Sequence, residues 1–386
     1  MKRVTTINRG SKNKRLKNSK KEHKEYNVKG EKRGLKKFFI FGCIMATLCC
    51  YGGLFLLYGP WNGFRDWLIT TAMTTMNHQY FATWFYDENT INDCLNKNKV
   101  IEVTGSTNTD DIVINTEITE EIVYENEYER QILERDPDNN DYKIIKIEED
   151  GFDGVMAVIY DPSRIVLTSS NKLGEYGQYL TTMSEQNNAL VAINAGGYAD
   201  ENWEGTGGIP AGITIQDGEL LSTTPYTNSG GVIGFNRENK LVLGKFSATQ
   251  TQNENIRDGA SFGPFLIMNG ESASVKGNGG GGLQPRSAIA QRKDGIVLFL
   301  AINGRTVKSK GATYGDLIEI FERYGAWNAA NLDGGTSSGL TVHHKLINDP
   351  VSSSGAHRTR PIATAFMLLS DESDDGDYSI VRNKVD

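Results

Sequence analysis

The sequence predicts an α+β protein: a mixed, hairpin-rich sheet with a few helices, preceded by one N-terminal transmembrane helix. Three observations predict it. Residues 38–58 run 21 positions without a charge, about the length a helix needs to cross a bilayer's hydrocarbon core. From Tyr142 onward, short apolar runs alternate with turn sequences, the mark of hairpins. Only two helical stretches, 177–187 and 314–324, interrupt those runs, too few for the regular alternation of a parallel sheet.

Charge is divided unevenly along the 386 residues. Residues 1–37 carry fifteen Lys/Arg against three acids, so the chain's net −7 leaves −19 for the rest. A basic arm before an apolar stretch places the N-terminus in the cytoplasm by the positive-inside rule, and such an arm also suits anionic headgroups. Nucleic acid or an import receptor is the rival reading of a Lys-rich run; the acidic remainder argues against nucleic acid as a partner. The apolar stretch exceeds a signal-peptide core and leads into Tyr58-Gly59-Pro60-Trp61, an interfacial exit, so an uncleaved anchor with everything after Trp61 outside the cell is expected. Cys43, Cys49 and Cys50 fall within the span and Cys94 is alone beyond it. No intrachain disulfide can staple the outer part.

Residues 64–86 place Phe64, Trp67, Leu68, Met73, Met76, Tyr80, Phe81, Trp84 and Phe85 at threes and fours, predicting a juxtamembrane amphipathic helix within 59–99. Residues 101–150 hold sixteen acids and four bases, so 100–143 reads as a solvated acidic linker; the Asp/Asn cluster at 136–141 lacks the spacing of a calcium loop. The main domain is expected over 144–370, with an acidic tail at 371–386. Within it, 155–160 with 164–168, 212–215 before Gln216-Asp217-Gly218, 232–235 before 236–239, and 288–291 with 296–302 read as hairpins or strand–turn pairs. The helices lead into apolar strands at 189–193 and 327–332. Asp316, three residues after Thr313, has capping-box spacing and is assigned to structure.

Polar residues beside glycines at strand ends are where a site can be built. Four places qualify: Asn194-Ala195-Gly196-Gly197-Tyr198; the glycine run Gly277-Asn278-Gly279-Gly280-Gly281-Gly282 leading to Arg286; Asp333-Gly334-Gly335-Thr336-Ser337-Ser338-Gly339; and His357-Arg358-Thr359-Arg360. Backbone amides plus a guanidinium suit an anion such as phosphate, while the pattern of a nucleotide-binding P-loop is missing. Gly335-Thr336-Ser337-Ser338-Gly339 also satisfies the G-x-S-x-G nucleophile elbow, with Asp349 and His357 coming after it in order. That pattern requires a strand-to-helix turn, and residues 340–346 alternate like a strand or hairpin. His343 and His344 read as surface residues, since neighbours on a strand point to opposite faces. No convincing metal-ligand cluster is visible, and no cofactor is expected.

Together and in this order, these stretches resemble the phosphodiester glycosidase family, whose bacterial members are often labelled exopolysaccharide biosynthesis proteins. The matching residues are Ala192 to Tyr198, Pro285 to Ala290, Asn331 to Ser338 and Arg360-Pro361, with small-for-small departures at Ala195, Ser287, Ala290 and Thr336. The resemblance implies hydrolysis of a sugar-1-phosphodiester and does not specify the polymer; for a domain outside the membrane a cell-wall or exopolysaccharide glycan is the expected substrate, and the juxtamembrane helix is a candidate surface for surface-polysaccharide assembly proteins. Because the leaving phosphate is already a stable anion, charge neutralisation outweighs general-acid help. Arg286 and Arg360 are the expected phosphate clamps, with Asp333 the carboxylate that activates water. Asn194 would orient the substrate, and Glu204 is a second, lower-ranked carboxylate. Gly279, Gly280, Gly281, Gly334, Gly335, Thr336, Ser337, Ser338 and Asn303 complete the expected substrate-binding set. Two other readings stand beside it: a non-catalytic protein that binds anionic glycan, and a serine hydrolase using Ser337.

Overall fold

The computed structural model describes residues 10–74, 78–114, 123–199, 206–225, 230–352, 354–371 and 380–382. The chain divides into two compact units, 1–65 and 66–386. In the first, one helix runs over Gly10–Tyr58. Its portion Lys36–Tyr58 has mean hydropathy 2.1 and none of it is buried. Phe38, Phe39, Phe41, Tyr51 and Phe55 stand in the open, so this helix is apolar yet has no protein core to enter, and is long enough to cross a membrane.

In the second unit the centre is an eight-stranded sheet. Its order runs Glu271–Ser272, Phe265–Met268, Ala326–Leu332, Arg286–Arg292, Val297–Ile302, Phe152–Ile159, Tyr142–Glu149 and Ile380–Arg382. All neighbours are antiparallel except the last, a parallel edge pair. Strand Val297–Ile302 is buried at every residue, which explains its unbroken apolar sequence: a strand covered on both faces has no polar side to show. One face packs on helices Tyr314–Arg323 and Glu127–Leu133. The other meets two five-stranded sheets, built around Ala189–Asn194 with Thr364–Leu369 and around Gly231–Asn236 with Ile256–Phe262, in one apolar core. A truncation there, such as Phe299→Ala, would cost about 3–5 kcal/mol.

The predicted α+β class and its main elements are present. Helices Leu180–Gln186 and Tyr314–Arg323 precede strands Ala189–Asn194 and Ala326–Leu332. The expected hairpin joins Arg286–Arg292 to Val297–Ile302, with Arg286 opposite Ile302. Thr313 and Asp316 form the capping box. Four expectations need correction. Residues 64–86 do not make one helix: Asn62–Met73 ends near a threonine-rich stretch where Thr70 and Thr74 hydroxyls bond back to the carbonyls of Asp66 and Thr71, a competition that weakens helices. A short turn at Tyr80–Thr83 and a helix at Glu88–Lys97, capped by Asp87, come next. The acidic stretch is not a free spacer, because Lys99–Ile101 pairs with Ser274–Lys276, and Ile112 and Ile132 are buried; its few apolar residues outweigh its charge. The runs at 155–160 and 164–168 are no hairpin, since a turn at Pro162–Arg164 sends Ile165–Ser169 into another sheet. His343 and His344 form the two-residue turn between Leu340–Val342 and Lys345–Leu346, both at positive φ, rather than lying on a strand.

Candidate active site

Register relates the four expected stretches in two pairs at the sheet ends. Ser287 lies opposite Leu332, so Arg286 and Asp333 leave neighbouring strands at the same edge. Asn194 lies opposite Ala365 on the strand entered from Arg360-Pro361. Asn194 is the knot between them. Its Nδ2 donates to the Asp333 carbonyl at 2.6 Å, while its Oδ1 accepts from Ser287 Oγ at 2.7 Å and from the Gly339 amide at 3.0 Å. The Asp333 amide donates to the Ala195 carbonyl, and the Gly335 amide to that of Pro285. Asn194 is thus a buried brace that holds the Asp333 turn, with one Nδ2 hydrogen not used by these bonds.

Asp333 sits deep in this knot while keeping a partial opening to solvent. Burial pushes its carboxyl up to about 6; the Ser337 hydroxyl and the Gly334 amide nearby pull the other way. A carboxyl held near neutrality can exchange a proton with water at ordinary pH. Behind it, Gly335–Ser337 makes one turn of 3-10 helix. Ser337 Oγ and Ser338 Oγ are buried with no hydrogen bond of standard geometry. Gly335 has φ +63°, and a Cβ there would press on Arg305 Nη2 at 3.0 Å, so glycine is required by both backbone and space.

Two arginines lie against the turn that carries Asp333, since a Cβ at Gly334 would meet Arg286 Cδ at 3.9 Å and one at Gly335 would meet Arg305 Nη2 at 3.0 Å, and Arg360 precedes the strand paired with Asn194. Arg286 is 5% exposed and stacks over Tyr314 at 4.2 Å. Its Nε donates to the Ala312 carbonyl and its Nη2 to the carbonyls of Gly281 and Gly282. The glycine run is therefore a clasp on Arg286. Its Gly279 and Gly280 amides are used internally, by the Lys276 carbonyl and Asn278 Oδ1, so the expected cradle of free amides is not formed by those two. Arg286 keeps Nη1 as the end not committed to these bonds. Arg360 stacks on Tyr198 at 4.3 Å. Its Nε and the Tyr198 hydroxyl are buried without partners, and burial brings its guanidinium down to about 10.

Sequence reading missed Arg305. It is held at φ +63° and donates to Gln284 Oε1, Thr336 Oγ1 and the Val351 carbonyl. Burial and the charge of Arg286 lower its pKa, so the two guanidiniums lie close enough to repel. The signal was available: with Arg286 opposite Ile302, a residue three positions past that strand emerges at the same edge. Among the described residues none of Arg286, Arg305 and Arg360 makes an ion pair. Buried cations without carboxylate partners are costly unless an anion joins them.

The remaining expected residues have other places. Asn303 is used structurally, its Nδ2 on Asp153 and its Oδ1 on the Asp349 amide. Glu204 lies outside the described residues. The elbow reading fails on geometry, for the chain after Gly335–Ser337 enters strand Leu340–Val342 instead of a helix. His357 bonds Asp349 at 2.7 Å on the surface, 63% exposed, while Ser337 is 1% exposed. His343 bonds the Tyr142 hydroxyl and His344 that of Ser184. Among the described residues no three His, Cys, Asp or Glu side chains gather as a metal site.

Residues 187–369 match the family model described as phosphodiester glycosidase. Over those residues the chain is similar to that family. The chain is 28% identical over 197 residues, 49% of this chain and 29% of the relative, to the SPbeta prophage-derived uncharacterized protein YomE of Bacillus subtilis strain 168. The chain thus spans less than a third of that curated relative's length. Among solved structures it is similar to the catalytic domain of zebrafish N-acetylglucosamine-1-phosphodiester alpha-N-acetylglucosaminidase, at 20% identity and TM-score 0.49, covering 60% of this chain and 83% of that one. A hypothetical protein from Synechocystis matches at 17% identity and TM-score 0.42, covering 58% and 61%.

Proposed function

We propose that this chain is a membrane-anchored enzyme that hydrolyses a sugar-1-phosphodiester in a glycan on the outer side of the cell membrane. The observation that carries the reading is the pairing of one deep carboxyl near neutrality, Asp333, with guanidiniums that lack carboxylate partners among the described residues. An anionic group is what those cations lack, and a phosphodiester supplies it. In this reading Arg360, Arg305 and the free end of Arg286 receive the phosphate oxygens, with the unpaired Tyr198 hydroxyl as a further donor. Fixed cations in a partly closed site hold the charge that grows on the phosphate as the sugar–oxygen bond breaks. Asp333, ionised above about pH 6, takes the proton of the attacking water or faces the cation-like sugar carbon. The departing phosphomonoester is a stable anion and leaves without strong protonation. Asn194 acts by fixing the Asp333 turn. An N-acetylglucosamine-1-phosphodiester, the substrate in the zebrafish relative's name, is one compound to include among those tried.

The test is to incubate the full chain in detergent micelles with a panel of sugar-1-phosphodiesters and measure free reducing sugar. Release that disappears in Asp333→Ala is expected. No release from any member, with phosphodiester binding intact, would replace catalysis by glycan binding alone.

A further inference from the structure

One recess has a lining separate from the Asp333 residues. It has a volume of about 820 Å³ and is lined by Lys99, Ile101, Lys245, Phe246, Phe265 and Lys276 among others, with none of Asn194, Arg286, Asp333 or Arg360. Its size is that of a ligand pocket. One wall is the two-stranded ribbon of Lys99–Ile101 with Ser274–Lys276, in which Lys99 lies directly opposite Lys276. Residues directly opposite share a face, and like charges so placed destabilise a ribbon. Alternation puts Ile101 on that same face. The only carboxylate in the lining, Glu102, is already engaged: one oxygen takes Lys245 Nζ at 2.8 Å and the other the Phe265 amide at 2.8 Å. Lys99 reaches only the Asn96 amide oxygen, at 3.3 Å. Neither Lys99 nor Lys276 has a carboxylate partner among the described residues.

Two facing ammonium groups over an apolar floor with aromatic rings match a chain that alternates anions with carbon-rich faces. We infer that this groove binds a phosphate-bearing stretch of the glycan remote from the bond that is cleaved, an inference that rests on the proposed function. Connectivity favours it. The Lys276 carbonyl accepts the Gly279 amide, and the same run supplies the Gly281 and Gly282 carbonyls that hold Arg286. The groove therefore begins where the clasp on Arg286 begins, and a polymer is the kind of ligand that can occupy both.

The probe is a synthetic poly(glycerol phosphate) octamer, titrated calorimetrically into the full chain in detergent micelles, with maltooctaose and inorganic phosphate as comparators. The octamer should bind, more weakly as salt rises, and maltooctaose should not. Lys276→Glu converts the like-charged pair into an opposite-charged one, so its Tm should hold or rise while octamer affinity falls about tenfold. Should its Tm fall instead, Lys276→Gln takes its place, with about threefold weaker binding expected. Asp333→Asn should bind the octamer within twofold of the parent chain. Equal binding of maltooctaose, or affinity unchanged by the Lys276 variants and lost in Arg360→Gln, overturns the groove. Octamer binding that depends on Lys276, in a chain that releases no sugar from any phosphodiester, overturns the glycosidase reading and leaves the groove standing.

Discussion

Asp333 carries two separable consequences. Its carboxyl is raised in the folded state from 3.8 to about 6, so the folded protein holds the proton more tightly than the unfolded chain. The stability this contributes is full below about pH 4 and lost as pH rises through about 6. A shift of about two units corresponds to about 3 kcal/mol. Asp333→Asn should therefore raise Tm at pH 7.5 by several degrees and change it little at pH 4, while abolishing sugar release; a Tm gain equal at both pH values would refute the buried-charge account. For the parent enzyme, kcat/KM should fall about tenfold per pH unit below about 6, because only the ionised form accepts a proton. Arg360 offers the complementary test. Arg360→Gln should lower kcat/KM about 100-fold toward a phosphodiester, the usual effect of losing one aimed donor, and hardly at all toward a neutral aryl glycoside. Equal losses on both would mean the side chain supports the fold rather than the phosphate. Asn194 and Asn303 show how far residue identity alone reaches: an expectation of substrate contact does not reveal that both side chains also brace protein partners.

At the scale of elements, the glycine run and the segment after the apolar helix act together. Asn98, capping the helix Glu88–Lys97, accepts the Asn278 amide at 3.0 Å, and Asn278 Nδ2 reaches Thr70 Oγ1 at 2.9 Å. A Cβ at Gly281 would lie 2.5 Å from Tyr314 Cε2 and 2.6 Å from Arg286 Nη2. Gly281→Ala should consequently displace the Arg286 side chain and lower kcat/KM at least tenfold with an intact far-ultraviolet circular dichroism spectrum; unchanged kinetics would show that the clasp does not set the site. Composition marked this run as an anion cradle because glycines expose amides. Which amides stay free depends on the turn the run adopts, and that is fixed by Asn98 and Tyr314, distant in sequence.

Over the whole molecule, the helix Lys36–Tyr58 is the one among the described residues apolar and long enough to span a bilayer. If the basic arm faces the cytoplasm as proposed, protease added to intact cells should digest a C-terminal epitope tag and spare an N-terminal one. The reverse pattern would invert the orientation and remove outer glycans from consideration. The sequence by itself determined the features that short-range rules govern: the apolar span, the capping box at Thr313, the strand ending in Ala192-Ile193-Asn194, the hairpin of 288–291 with 296–302, and four glycine-bounded stretches with their resemblance to one family. These rest on local periodicity, on backbone freedom and on charge, all readable within a few residues. Only the tertiary structure decided that the acidic stretch after Lys99 packs on the domain, that Asn194 braces the Asp333 turn, and that Arg305 joins Arg286 beside that turn. Those outcomes depend on which groups meet across more than a hundred residues of chain, where a donor finds one partner and leaves another unpaired, and no local pattern encodes that choice.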